Sequence, residues 1–203
     1  MTLAKIIPLA FVMIAGPQIL AAIFLATSEK WAGNSAALVG GAAVSITATV
    51  TLAFLLSDGA SKQGASSNAL DIIIMVLLIA AGVHTFLTRK TSKPPKWMGK
   101  LEEEKPKGAF RLGFLLLGVF PTDILTSIAV GGSVAAHHHS WFEVLPFVLV
   151  TLLFLGLPAL CVLLLGEKAK KALPKIRDWM NNNSWIISEC VIGLFVVITA
   201  SSL

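Results

Sequence analysis

Six stretches of this chain, at 4–26, 33–57, 69–88, 109–135, 142–166 and 184–202, are apolar for long enough to cross a bilayer as helices. Each crossing needs roughly 20 predominantly apolar residues, so a chain of 203 residues built this way has little left over for a soluble domain. Only 13% of the residues are charged and the mean hydropathy is +0.83, about half the charge of an ordinary soluble domain. The fold class expected is an all-α polytopic membrane protein, a single integral membrane domain over 1–203.

Charge placement gives the orientation. Of the 16 Lys and Arg, the connections after the first, third and fifth stretches hold 14: Lys30, eight from Arg89 to Arg111, and five from Lys168 to Arg177. Lys5 and Lys62 are alone on the other side. Cytoplasmic loops carry the excess of basic residues, which predicts a multi-pass protein of the cell membrane with both termini extracytoplasmic. The net charge of +5 is thereby used up as a topology signal; a nucleic-acid surface would want a basic face with aromatic platforms, so no nucleic-acid partner is expected. The tryptophans agree, because Trp31, Trp97, Trp141, Trp179 and Trp185 all fall in connections or at the ends of stretches, where an amphipathic ring suits the headgroup layer.

The fourth stretch carries the most unusual residues. Phe120-Pro121-Thr122-Asp123 lies half-way along it. A proline frees the carbonyl four residues back, here Leu117, and a carboxylate in hydrocarbon is costly. The two together predict a broken or kinked helix beside a polar cavity; a kink for packing, with Asp123 neutral and hydrogen-bonded in the bundle, is the plainer alternative. Gly16-Pro17-Gln18-Ile19 puts a second proline near the middle of the first stretch, followed by its only strongly polar side chain. A helix–helix hydrogen bond is the ordinary role of such a glutamine.

The connection at 89–108 divides the chain into a first half, 1–88, and a second half, 109–203. Three spans per half is an odd number, so the halves enter the bilayer from opposite faces. The architecture expected is six transmembrane helices as two inverted three-helix repeats, typical of alternating-access carriers whose site lies where broken helices meet.

Other residues point less sharply. Gly33, Ala37 and Gly41, continued by Ser45 and Thr49, give the second stretch a small-residue face suited to close helix packing, with hydroxyls able to line a cavity and a homodimer permitted. Asp71 is an acid near a helix start. His84, toward the cytoplasmic third of its span, is a packing residue or a proton-titrating group of a transport cycle. His137-His138-His139 has no accompanying Cys or acid cluster and Cys161 and Cys190 form no C-x-x-C, so neither a metal, a cofactor nor a redox relay is expected. Pro174 is expected to break the basic segment from Glu167 to Arg177. No H-E-x-x-H, Gly-x-Ser-x-Gly or Walker loop occurs, so an enzyme is not expected.

Taken together, Gly16-Pro17-Gln18, the small-residue second stretch and Gly118-Val119-Phe120-Pro121-Thr122-Asp123 resemble the LysE transporter superfamily, and within it the GAP family of glycolipid- or sulfolipid-addressing proteins. That resemblance implies a membrane transport or export protein that moves or addresses a lipid or glycolipid toward the cell surface. It also implies a central site with Pro17 and Gln18 on one arm and Pro121, Thr122 and Asp123 on the other, Asp123 being the coupling or substrate-contacting group. The cysteines of thiol-redox relatives are missing, Gln18 and Thr122 standing in the comparable neighbourhoods, and one carboxylate with one amide supplies too few ligands for a metal ion. Alternatives are a secondary exporter of an amino acid or cation, and a non-transporting scaffold of an export machine.

Overall fold

The computed structural model describes residues 3–61, 104–136 and 140–183, with the isolated residues 101, 186 and 193. The expected span at 69–88, with Asp71 and His84, lies outside the described residues, as do His137 to His139, Glu189, Cys190 and nearly all of 184–202. Every described element is helical: α1 (Leu3–Ile14), α2 (Pro17–Ala26), α3 (Trp31–Ser61), α4 (Pro106–Val119), α5 (Pro121–Ala136), a short 3₁₀ turn at Trp141–Val144, α6 (Leu145–Leu165) and α7 (Glu167–Asn182).

Two segments are long and apolar enough to cross a membrane, Trp31–Ser57 and Trp141–Leu165. Two further crossings are possible if each of two bent pairs counts as one. α1 and α2 meet at 72°, α4 and α5 at 65°. Both breaks come from the same local chemistry, since the residue before a proline is pushed out of helical conformation and the proline itself is preset to open the next helix. Phe120, before Pro121, is extended at φ −66° and ψ 133°. Gly16, before Pro17, sits at φ 145° and ψ −142°, a region essentially restricted to glycine.

The far end of α2 is closed by hydroxyls rather than by glycine. Thr27 Oγ1 donates to the carbonyls of Ile23 and Phe24, and Ser28 Oγ to that of Leu25 at 2.7 Å. The same carbonyls also accept from the backbone N–H groups of Thr27 and Ser28, so the hydroxyls reinforce the last turn. Asn34, in the first turn of α3, then donates to Ser28 Oγ at 3.0 Å and to the Glu104 carbonyl at 2.9 Å. One buried amide thus ties α2, α3 and the lead into α4 together.

α3 is the central element. Leu38, Ala42, Ile46 and Val50 recur every four residues and are buried, and α3 packs along both α4 and α5. The approach is backbone to backbone: a Cβ on Gly41 would overlap the Phe110 carbonyl, one on Gly113 the Leu38 carbonyl, and one on Gly131 would come within 2.6 Å of the Val50 carbonyl. The small-residue face is therefore spent on packing within the chain.

α1 lies against α5, and α2 against α4. The two bent pairs consequently run antiparallel, with their breaks at the crossing. α6 packs along α1, α2 and α3 and turns Leu149, Leu153, Leu160 and Leu163 to Leu165 outward, as a helix in contact with lipid would. Pro158 sits inside α6 and Pro174 inside α7 without ending either. The expected break at Pro174 is thus corrected: its missing N–H frees one carbonyl, on a helix exposed enough for water to take it.

Candidate functional site

α2 and α5 each begin at a helix break, and each carries a strongly polar side chain in its first turn. Gln18 and Asp123 meet there. Gln18 Nε2 donates to Asp123 Oδ2 at 2.8 Å, joining residues 105 positions apart. Asp123 is completely enclosed and Gln18 is 2% exposed. Asp123 is held by the turn it starts, its own N–H bonding the Phe120 carbonyl at 3.0 Å.

The second amide atom of Gln18 is more informative. Oε1 is buried and has no hydrogen-bond partner among the described residues. It lies 3.0 Å from the position a Cβ on Gly16 would take, so it faces the break itself. A buried carbonyl oxygen left unpaired costs about 1–3 kcal/mol, a cost that a bound proton donor or cation would relieve.

Buried hydroxyls continue the polar run along α5. Thr126 and Ser127 stand three and four residues after Asp123, on its face of the helix, and both are fully buried. Ser127 Oγ lies 3.0 Å from Thr49 Oγ1 on α3. Thr49 in turn donates toward the Ser45 and Ile46 carbonyls, and a Cβ on Gly118, the last glycine of α4, would overlap Ser45 Oγ. The hydroxyl end of the α3 face thus runs past the break between α4 and α5.

Of the residues singled out in the sequence, the structure brings Gln18 and Asp123 into contact and sets Pro17 and Pro121 at the starts of the helices that carry them. Thr122 is in the first turn of α5, and His84 is outside the described residues. Thr126 and Ser127 were not anticipated, although their i+3 and i+4 spacing from Asp123 was available. Among the described residues no group of three His, Cys, Asp or Glu side chains could hold a metal ion.

No curated protein and no solved structure matches this chain. A family model does: the one described as Sap, sulfolipid-1-addressing protein, matches residues 6–202. With the match spanning nearly all of the sequence, the chain belongs to the Sap family of sulfolipid-1-addressing proteins.

Proposed function

We propose that this protein moves or addresses an amphipathic lipid or glycolipid toward the cell surface, and that Asp123 and Gln18 form the polar centre of the path. Family membership supplies the lipid. The observation that carries the site is the Gln18–Asp123 hydrogen bond, 2.8 Å long, at the crossing of two antiparallel broken helices. Broken helices meeting at a buried polar pair are the usual form of a carrier site. On this reading the first and second halves are inverted three-helix repeats, the basic connections are cytoplasmic and both termini are extracytoplasmic.

A lipid needs a route for its chains as well as a site for its head. The outward face of α3 offers an open-sided groove of about 680 Å³ lined by Ala43, Val44, Thr47, Ala48, Thr51, Leu52 and Leu55. It is apolar and open to the side, which suits an acyl chain better than an amino acid or a cation.

The test is native mass spectrometry on protein extracted gently from its own membrane, comparing wild type with Asp123→Asn. Retention of a heavy amphipathic lipid by the wild type and its loss from a folded Asp123→Asn variant is the expected result. Equal retention of bulk phospholipid by both would remove the lipid reading and leave small-solute flux in proteoliposomes, or co-purification of an export machine without flux, to decide between the other two.

A further inference from the structure

α6 ends at Gly166, whose φ of 54° turns the chain and opens α7 one residue later. One side of α7 is filled. Ala169 and Leu173 are buried with Ile23 and Ala26 of α2 and Val162 of α6, and the Arg177 guanidinium stands 4.3 Å over the ring of Phe24. The helix therefore lies across the ends of α2 and α6.

The other side is open and has a definite pattern. Lys168, Lys171 and Lys175 recur at i, i+3 and i+7, so they form one stripe, and all are exposed. None has an ion-pair or hydrogen-bond partner among the described residues. The remaining cations of α7 are engaged, Lys170 with Glu167 and Arg177 with Asp178, each at 3.0 Å. Between the lysine stripe and the buried face run Ala172, Ile176 and Trp179, the last two 49% and 55% exposed.

Water alone gives no reason for an exposed Ile–Trp edge beside unpaired lysines. A membrane interface does, since apolar and indole side chains sink toward the acyl boundary while lysines reach the headgroups. The depth is right too, because α7 starts directly after a segment, Trp141–Leu165, that is long enough to span. We propose that α7 is a docking site for the phosphate headgroups of anionic phospholipids, Lys168, Lys171 and Lys175 meeting the phosphates and Ile176 and Trp179 entering the acyl boundary.

Two measurements on the full chain test this. In mixed micelles of phosphatidylglycerol and phosphatidylcholine, native mass spectrometry should show preferential phosphatidylglycerol adducts. Combined Lys168→Gln, Lys171→Gln and Lys175→Gln should lower that preference by up to about a hundredfold while leaving phosphatidylcholine adducts unchanged; an unchanged preference overturns the lysine stripe as the site. In vesicles, the fluorescence difference between wild type and Trp179→Phe isolates Trp179. Quenching of that difference by lipids brominated near the headgroup supports insertion, and quenching by aqueous iodide alone overturns it. The fluorescence arm does not depend on the triple variant folding. Competition by inorganic phosphate as strong as that by phosphatidylglycerol would show an anion site without lipid docking and likewise overturn the proposal.

Discussion

Gln18 Oε1 lies 3.0 Å from where a Cβ on Gly16 would be, and Gly16 itself holds φ 145°. Two independent penalties therefore fall on Gly16→Ala. The backbone strain alone costs of order 1–3 kcal/mol, and the new methyl group presses the Gln18 amide out of its place beside Asp123. Gly16→Ala should lower the thermal midpoint in detergent. It should also weaken lipid retention by more than the loss of folded protein explains. A variant as stable as wild type would show that the break between α1 and α2 does not need glycine.

Adjacent glycines on α3 should respond in opposite ways to the same substitution. A Cβ on Gly40 meets only the Phe110 ring, at 3.9 Å, an ordinary contact. A Cβ on Gly41 runs into the Phe110 carbonyl, which belongs to a helix that cannot give way locally. Gly40→Ala should be neutral or gain up to about 1 kcal/mol from helix propensity. Gly41→Ala should lose about 1–3 kcal/mol by prying α3 from α4. Equal melting temperatures for the two variants would refute backbone contact at this crossing.

The parts legible in the sequence were those written locally. Phe120-Pro121 and Gly16-Pro17 announce their breaks because a proline constrains its own neighbour whatever the tertiary fold. Gly33, Ala37 and Gly41 announce close packing by their spacing. Which helix would fill that face was not legible, since the contacts that seat α4 against it, Gly41 on the Phe110 carbonyl and Gly113 on the Leu38 carbonyl, are made to backbone atoms, which have no sequence signature. That Gln18 and Asp123 belong to one site was implied by the resemblance, each following a proline near the middle of its stretch, whereas the Thr49–Ser127 contact depends on the register between α3 and α5. Pro174 misled for the converse reason: a proline breaks a helix where its freed carbonyl is stranded, and α7 is largely exposed.

Asn34 gives a test of how firmly the lead into α4 is held. Its amide donates to Ser28 Oγ and to the Glu104 carbonyl while only 1% exposed. Asn34→Ala removes both donors and leaves buried acceptors behind, at about 1–3 kcal/mol. Asn34→Asp has nearly the same shape and cannot donate as a carboxylate, so it should behave like the alanine variant. Limited trypsin digestion is the direct readout. Cleavage after Lys107 should accelerate in both variants, Lys105 being protected by the proline that follows it, and an unchanged rate in both would mean the amide does not anchor this segment.

Thr49 and Ser127 form the contact that ties α3 to α5 beside the candidate site, 3.0 Å between hydroxyl oxygens. Thr49 also donates back to its own helix, so Ser127→Ala does not strand it, whereas Thr49→Val takes this partner from the buried Ser127 hydroxyl. A double-mutant cycle with Thr49→Val and Ser127→Ala separates the pair from its surroundings. Interhelical hydrogen bonds of this kind contribute about 0.6 kcal/mol on average in membranes, so the coupling energy should be of that order, below about 2 kcal/mol. Lipid retention supplies the second axis. Ser127 is on the Asp123 face of α5, and Ser127→Ala should weaken retention further than its small effect on stability accounts for. Thr49→Val should act mainly on stability. Equal and small losses of retention in both would confine the pair to packing and draw the boundary of the polar site at Asp123 and Gln18.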